Sequence, residues 1–166
     1  MSKYFKYDIY LLCPVRNATE SEEKFLTEYK SRAHELGFNL LYPATDTKQK
    51  CSEGGYNICM DHAEEILNSR ASHIYWNQTS TGSHVDLGSL ILEHKRRKMD
   101  ILLVNRDYVE KLVQEQLSKG IEKSYERVLL RLDDIADNST RIYKDSSWIS
   151  FEMENKIFNF TNNFLE

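Results

Sequence analysis

The sequence predicts an α/β domain in which a doubly wound, Rossmann-like parallel sheet is flanked by helices. Short apolar segments have the length and composition of buried strands, at residues 7–13, 38–42, 73–76 and 100–104. Segments with apolar residues at helical spacing lie between them, at residues 19–36, 57–69 and 84–97. Strands that alternate with helices form parallel sheets through right-handed crossovers, and this alternation is the basis of the prediction.

Length and composition fit a single domain over residues 1–166. The chain has 166 residues, of which 40% are hydrophobic and 29% charged, and its formal net charge is -4. These values are ordinary for a globular protein and give no general affinity for nucleic acid. No apolar run approaches the roughly 20 residues of a membrane span, and the N-terminal residues lack the apolar segment of a signal peptide. We therefore expect a cytoplasmic protein without a membrane partner.

The cysteines and histidines predict neither a metal site nor a cofactor. Cys13, Cys51 and Cys59 are odd in number and form no C-x-x-C pair, so we expect reduced thiols. The 5 histidines and 3 cysteines also show no metal-ligand spacing.

Local signals mark the first strand–helix–strand unit. Pro14 ends the first strand, and residues 19–22 (TESE) have the pattern of a capping box at a helix start. Gly37 ends that helix, and Pro43 ends the second strand. The polar loop that follows, residues 44–56, is long for a connection and has the length of a segment that covers a site.

The next two helices carry the candidate carboxylates. The buried stripe of the helix at 57–69 is predicted to be Cys59, Ala63, Ile66 and Leu67. Asp61 points away from this stripe. Asp86 is predicted in the first turn of the helix at 84–97, after a polar loop at residues 77–83. A helix N-terminus stabilises a carboxylate or a bound anion, so Asp86 is either an ordinary first-turn acid or part of a site.

The C-terminal part, residues 106–166, is predicted to be a helical extension. Helices are expected at residues 108–118, 124–136 and 147–165, with a short possible strand at 141–143. The last helix carries an apolar stripe of Ile149, Met153, Ile157, Phe160 and Phe164. This stripe packs either on the domain or on a second subunit.

Loops that follow parallel strands meet at one edge of the sheet, where such folds bind ligands. Arg16 follows the first strand, the loop at 44–56 follows the second, and the loop at 77–83 follows the third. We expect these polar segments to converge on a small-molecule site.

The run S-T-G-S-H-V-D-L-G, residues 80–88, resembles a family signature. It is similar to the S-x-G-x-x-x-E-L-G motif of nucleoside 2-deoxyribosyltransferases and the related deoxynucleoside 5′-monophosphate N-glycosidases. In that family the carboxylate before L-G is the nucleophile that attacks the anomeric carbon. This chain has Asp86 there, which is one methylene shorter than the family's glutamate.

The resemblance extends over residues 7–105 and implies further roles. Tyr10 matches the tyrosine that orients the nucleophile, and Arg16 matches the arginine that binds the 5′-phosphate. Asp61 matches the aspartate that faces the base, and Ser80 matches a phosphate-binding serine. A neighbouring subunit completes the family's pocket, so a homodimer or larger assembly is implied.

Other residues near Asp86 are weaker candidates. Gly82 and Ser83 place small groups where a phosphate or ribose would bind. His84 either donates to a phosphate, protonates a leaving base, or is an ordinary loop histidine. Trp76 either lines the pocket or belongs to the core.

The function implied by the resemblance is cleavage of the N-glycosidic bond of a nucleoside or nucleoside 5′-monophosphate, by hydrolysis or by transfer. Asp86 would form a glycosyl-enzyme ester. Two alternatives stay open. One is a catalytically inactive nucleotide-binding module of the same fold, which the aspartate favours. The other is an interaction protein built around the aromatic C-terminal helix.

Overall fold

The computed structural model describes residues 4–136 and shows an α/β, Rossmann-like fold. Its sheet has 4 parallel strands in the order β2-β1-β3-β4. The strands are β1 (Tyr7–Leu12), β2 (Leu40–Leu41), β3 (Ser69–Ile74) and β4 (Asp100–Leu103). The predicted strand at 141–143, the helix at 147–165 and its apolar stripe lie outside the described residues.

Helices connect the strands and continue after the sheet. They are α1 (Glu20–Glu35), α2 (Pro43–Asp46), α3 (Tyr56–Leu67), α4 (Thr81–Arg97), α5 (Arg106–Ser118) and α6 (Tyr125–Ile135). Within the described residues the predicted strands and helices are present, but β2 is shorter than expected because the chain turns into α2 directly at Pro43, and α2 occupies the start of the predicted loop at 44–56. Among the described residues, none of these helices is long and apolar enough to cross a membrane.

The third strand was predicted at 73–76 and lies at Ser69–Ile74, so the preceding helix ends at Leu67 rather than at residue 69. The prediction was wrong because Ser69 and Ser72 are polar but buried, with their hydroxyls bonded to backbone carbonyls.

The sheet has a hydrophobic core on each face, because successive side chains of a strand point to opposite sides. Ile9 and Leu11 of β1 belong to the core under α1, together with Leu26 and Ala33. Tyr10 and Leu12, the alternate positions of β1, belong to the core on the other face of the sheet. The later helices contribute Ile66, Leu87, Leu90, Val109 and Leu129 to this core. Tyr10 therefore points toward α3 and α4.

One predicted helix start is confirmed, and a second helix has a cap that the sequence analysis did not predict. Thr19 and Glu22 form the predicted capping box of α1, since the Thr19 side chain accepts from the Glu22 N–H and the Glu22 side chain accepts from the Thr19 N–H. Ser80 caps α4, because its hydroxyl accepts from the N–H of Ser83.

The start of α4 corrects the predicted place of Asp86. The helix begins at Thr81 rather than near His84, and its first turn contains no acidic residue. Asp86 is therefore in the second turn, one turn beyond the N-terminal N–H groups. The prediction was wrong because the Ser80 cap starts the helix within a segment whose small polar composition is typical of loops.

The buried stripe of α3 is also displaced from the predicted one. Ile58, His62 and Ile66 are buried, whereas Cys59 is exposed and Leu67 is 38% exposed. The hydropathy pattern counted apolar residues, but His62 is buried because its polar ring has hydrogen-bond partners inside the protein.

The edge strand β4 is covered by α6 through a buried carboxylate. Asp133 Oδ1 accepts from the N–H of Leu103 at 3.0 Å, and Asp133 Oδ2 accepts from Arg106 Nη1 at 2.6 Å. An edge strand exposes unpaired backbone groups, so this contact both satisfies one of them and fixes α6 on the sheet. Asp134 also pairs with Arg106, at 2.8 Å, but its side chain is 47% exposed.

Asp133→Ala is expected to lower the free energy of unfolding by about 3 kcal/mol, because it removes a buried ion-pair partner and leaves the Leu103 N–H without its acceptor. Urea denaturation measures the loss. Asp134→Ala is the matched control, and as an exposed partner of the same arginine it should cost no more than about 1 kcal/mol. Equal losses would show that α6 is not held by the buried carboxylate.

Candidate functional site

A cavity of about 270 Å³ opens at the carboxyl edge of the sheet. It lies beyond the carboxyl ends of β1 and β3, which are followed by helices on opposite faces of the sheet. Parallel sheets usually bind ligands at such a point. Its walls come from the loop after β1, the loop before α3, α3 itself and the start of α4. The lining residues used below are Cys13, Arg16, Asn17, Gln49, Gly55, Cys59, His62, Ser80, Gly82, Ser83 and Asp86.

Asp86 is the carboxylate of this cavity, and one of its oxygens is held by two donors. The Tyr10 hydroxyl donates to Asp86 Oδ2 at 2.9 Å, and His62 Nδ1 lies 3.1 Å from the same oxygen. Because a carboxylate oxygen accepts, the His62 Nδ1–H is the donor. Among the described residues, no hydrogen bond is made to Asp86 Oδ1. Asp86 is 9% exposed and lines the cavity, so its unpaired oxygen is accessible from there.

Tyr10 acts as a neutral donor. Its side chain is fully buried, and burial followed by the negative charge of Asp86 raises its pKa well above the usual value. The phenol therefore stays protonated at neutral pH. The structure thus brings together Tyr10 and Asp86, the pair that the family resemblance implies.

His62 is a site residue that the sequence analysis missed. Its Nε2 lies 3.3 Å from Thr47 Oγ1, on the opposite side of the ring from Asp86. Thr47 is itself fixed, because its hydroxyl donates to the Pro43 carbonyl at 2.8 Å and accepts from Gln49 Nε2 at 2.6 Å. The available signal was its spacing: His62 lies four residues from both Ile58 and Ile66, on the buried face of α3.

The first turn of α4 forms the second wall of the cavity. Ser80 accepts from both the N–H and the hydroxyl of Ser83, at 3.4 and 2.8 Å. Gly82 lies in the same turn and also lines the cavity. Helix N-termini carry unpaired N–H groups and attract anions, so this wall is suited to a phosphate.

Arg16 lines the same cavity from the loop after β1. It is exposed, and it forms no ion pair with another described residue. Gly55 lies beside it: a Cβ added to this glycine would come within 4.0 Å of Arg16 Nη2. The structure therefore brings Arg16, Ser80, Gly82 and Ser83 to one cavity, as the sequence predicts.

Asp61 and His84 are not brought to the cavity lining. Asp61 is exposed on α3, next to His62 but on another face of the helix. The His84 Nδ1 lies 2.8 Å from the Ser80 carbonyl oxygen, and its ring packs against Trp76 at 4.8 Å between centroids. Trp76 is buried in the core and donates to Glu126 at 2.9 Å.

The cavity lining combines donor groups with the carboxylate of Asp86. Within residues 4–136, no group of three His, Cys, Asp or Glu side chains is placed to hold a metal ion. The walls instead offer hydroxyls, helix N–H groups and a guanidinium around a carboxylate with one free oxygen. Comparison with known proteins adds no assignment, because no family model and no curated protein matches the chain.

The cysteines give a chemical test of the cavity. Cys59 is exposed at its wall, and Cys51 lies outside it. A hydrogen bond from the Glu53 N–H lowers the pKa of the Cys51 thiol, whereas burial raises the pKa of Cys13 far above the usual range.

Iodoacetamide is expected to alkylate Cys51 first, then Cys59, and to leave Cys13 unmodified in the folded protein, because only a thiolate reacts. A nucleoside 5′-monophosphate that fills the cavity should slow alkylation of Cys59 and leave the rate at Cys51 unchanged. Peptide mass spectrometry measures the three sites. Protection of Cys51 without protection of Cys59 would place the ligand elsewhere.

Proposed function

We propose that the protein cleaves the N-glycosidic bond of a nucleoside 5′-monophosphate, with Asp86 as the nucleophile. The observation that carries the proposal is the buried carboxylate at the cavity, fixed by Tyr10 and His62 through one oxygen and free at the other. A carboxylate that only stabilised the fold would be expected to have both oxygens paired inside the protein. This geometry supports the role of Asp86 as a preorganised nucleophile.

The reaction proceeds in two steps. In the first, Asp86 Oδ1 attacks the anomeric carbon, the C–N bond breaks, and the base leaves with the bonding electron pair and takes a proton from solvent. In the second, water attacks the anomeric carbon and loses a proton to solvent, the sugar–Oδ1 bond breaks, and its electrons return to the carboxylate. Water thus gives free base and sugar phosphate, and a second base in place of water gives transfer.

The cavity walls support a phosphorylated substrate. Arg16 and the first turn of α4 face the same opening, and a guanidinium with helix N–H groups is a common phosphate site. Asp61 is exposed outside this lining, so its predicted contact with the base has no part in the proposal.

A second candidate function is nucleotide binding without catalysis. The His62 contact favours it, because a hydrogen-bond donor 3.1 Å from the carboxylate oxygen stabilises the negative charge that a nucleophile must give up. The two candidates differ in one outcome: both bind a nucleotide, and only the first releases base.

Asp86→Asn is expected to lower base release from a nucleoside 5′-monophosphate by about 10⁴-fold or more, because the amide keeps the size of the side chain and loses the nucleophile. Chromatography of the free base measures the rate, and calorimetry measures nucleotide binding, which should persist. Asp107→Asn, an exposed carboxylate in the first turn of α5, is the matched control and should keep the wild-type rate.

The outcomes of this test separate the candidates. Wild-type protein that binds nucleotides and releases no base supports the binding module. An Asp86→Asn variant that cleaves at the wild-type rate removes Asp86 from the chemistry. The Asp61→Asn variant tests separately whether Asp61 contacts the base, as the resemblance implies.

Arg16→Ala is expected to weaken binding of a nucleoside 5′-monophosphate by about 1.5 kcal/mol, the lower end of the range for charge-assisted hydrogen bonds, because Arg16 is exposed and its charge is screened. Binding of the bare nucleoside should stay unchanged. Calorimetry with both ligands measures the difference, with Arg131→Ala on the exposed face of α6 as the control. Equal losses for the two ligands would exclude Arg16 from phosphate binding.

A further inference from the structure

Gln49 lines the cavity from the loop between α2 and α3, and its side-chain nitrogen is engaged by that loop. Gln49 Nε2 donates to the Pro43 carbonyl at 2.7 Å and to Thr47 Oγ1 at 2.6 Å, and it lies 3.5 Å from the Thr47 carbonyl. Among the described residues, no hydrogen bond is made to Gln49 Oε1. The polar atom that Gln49 has left to offer is therefore an acceptor.

The loop also fixes which end of this amide is the nitrogen. Backbone carbonyls can only accept, and those of Pro43 and Thr47 both lie next to Gln49 Nε2. An amide turned by half a rotation would set its oxygen against both carbonyls, so the loop holds the orientation in which Oε1 is free. Gln49 thus presents an oriented acceptor, whereas a glutamine without such partners could present either group.

The remaining lining of the cavity offers few oriented acceptors. Apart from Asp86, its other nitrogen- and oxygen-bearing side chains donate only, are paired within the protein, or are oriented by no described residue. They are, in that order, Arg16; Ser80, Ser83 and His62; and Asn17 and Thr81. Beside the carboxylate of Asp86, Gln49 is therefore the group of this lining that the protein holds as an acceptor for a ligand.

The position of Gln49 decides which part of the substrate it meets. Its acceptor repels a phosphate, whose oxygens also accept, so the phosphate stays at Arg16 and the first turn of α4. The anomeric carbon must lie against Asp86. His62 and Thr47 separate this carboxylate from Gln49, through successive contacts of 3.1, 3.3 and 2.6 Å. Gln49 therefore faces a part of the substrate away from the reacting carbon, which is the base.

We propose that Gln49 selects bases with an exocyclic amino group, as in cytosine and adenine, over the corresponding keto bases, uracil and hypoxanthine. The inference rests on the proposed function, whose substrate class it narrows. The amino group lies across the base from the glycosidic bond and can donate to Gln49 Oε1. A keto oxygen at the same place sets two acceptors against each other, so the keto base loses a hydrogen bond and gains a repulsion.

The test compares base release within two pairs of 5′-monophosphates, cytidine with uridine and adenosine with inosine, each as the ribo- and the 2′-deoxyribonucleotide. We expect kcat/KM of the wild-type protein to be about 10- to 100-fold higher for the amino member of each pair. Gln49→Met keeps the length of the side chain and loses the acceptor. It should reduce this ratio to about threefold or less, mainly by slowing the amino substrates. Gln114→Met, on the exposed face of α5, is the matched control and should keep the wild-type ratio.

The same measurements can overturn the proposal. Equal rates for the amino and keto members in wild-type protein remove Gln49 from base selection while leaving Asp86 in place. A Gln49→Met variant that keeps the wild-type base ratio, or that changes only the ratio of ribo- to deoxyribonucleotide, shows that the acceptor does not contact the base. The wild-type comparison carries the test even if the variant does not fold.

Failure of the proposed function gives a different result. Wild-type protein that releases no base from any of these nucleotides overturns cleavage, and calorimetry with the same pairs then decides the selection by Gln49. Tighter binding of the amino member, lost in Gln49→Met, supports the selection in a binding module. Equal or absent binding of the two members overturns it.

Discussion

The buried carboxylate of Asp86 sets the main constraint on this structure. A charge taken out of water must be paired and hydrogen-bonded, or the fold loses several kcal/mol. Tyr10 and His62 meet that need from two different elements, so one interaction ties β1, α3 and α4 together. The cost of burial is offset at Oδ2, and no hydrogen bond from the described residues reaches Oδ1. Stability and proposed chemistry therefore depend on the same contact.

The parallel sheet explains why this contact lies at a cavity. β1 and β3 are neighbours in the middle of the sheet, and the helices that follow them pack on opposite faces. Their loops must separate at the carboxyl edge, which leaves a crevice between them. The Ser80 cap then places the first turn of α4 at one wall, one turn before Asp86. In the proposed function, the phosphate site and the nucleophile thus occupy successive turns of a single helix.

Local patterns predicted the capping box and the presence of four strands, although β2 is shorter than predicted and β3 spans Ser69–Ile74 rather than 73–76. The contact between Tyr10 and Asp86 was implied by the family resemblance and not by spacing. His62 was missed because a hydropathy stripe cannot count a polar residue whose burial depends on distant partners, here Asp86 and Thr47. The buried position of Asp133 was missed for the same reason, since its partners are Leu103 and Arg106. The burial of these two side chains depends on contacts between elements rather than on hydrophobic periodicity.

The covalent intermediate is the central claim, and label transfer tests it most directly. Protein mixed with a nucleoside 5′-monophosphate labelled in the sugar, quenched in acid within the first turnover and digested, should carry the label on the peptide that contains Asp86. The mass added should equal that of the sugar phosphate less water. Release of free base from wild-type protein with no label on that peptide would contradict the account, because water would then attack the sugar without an ester on Asp86.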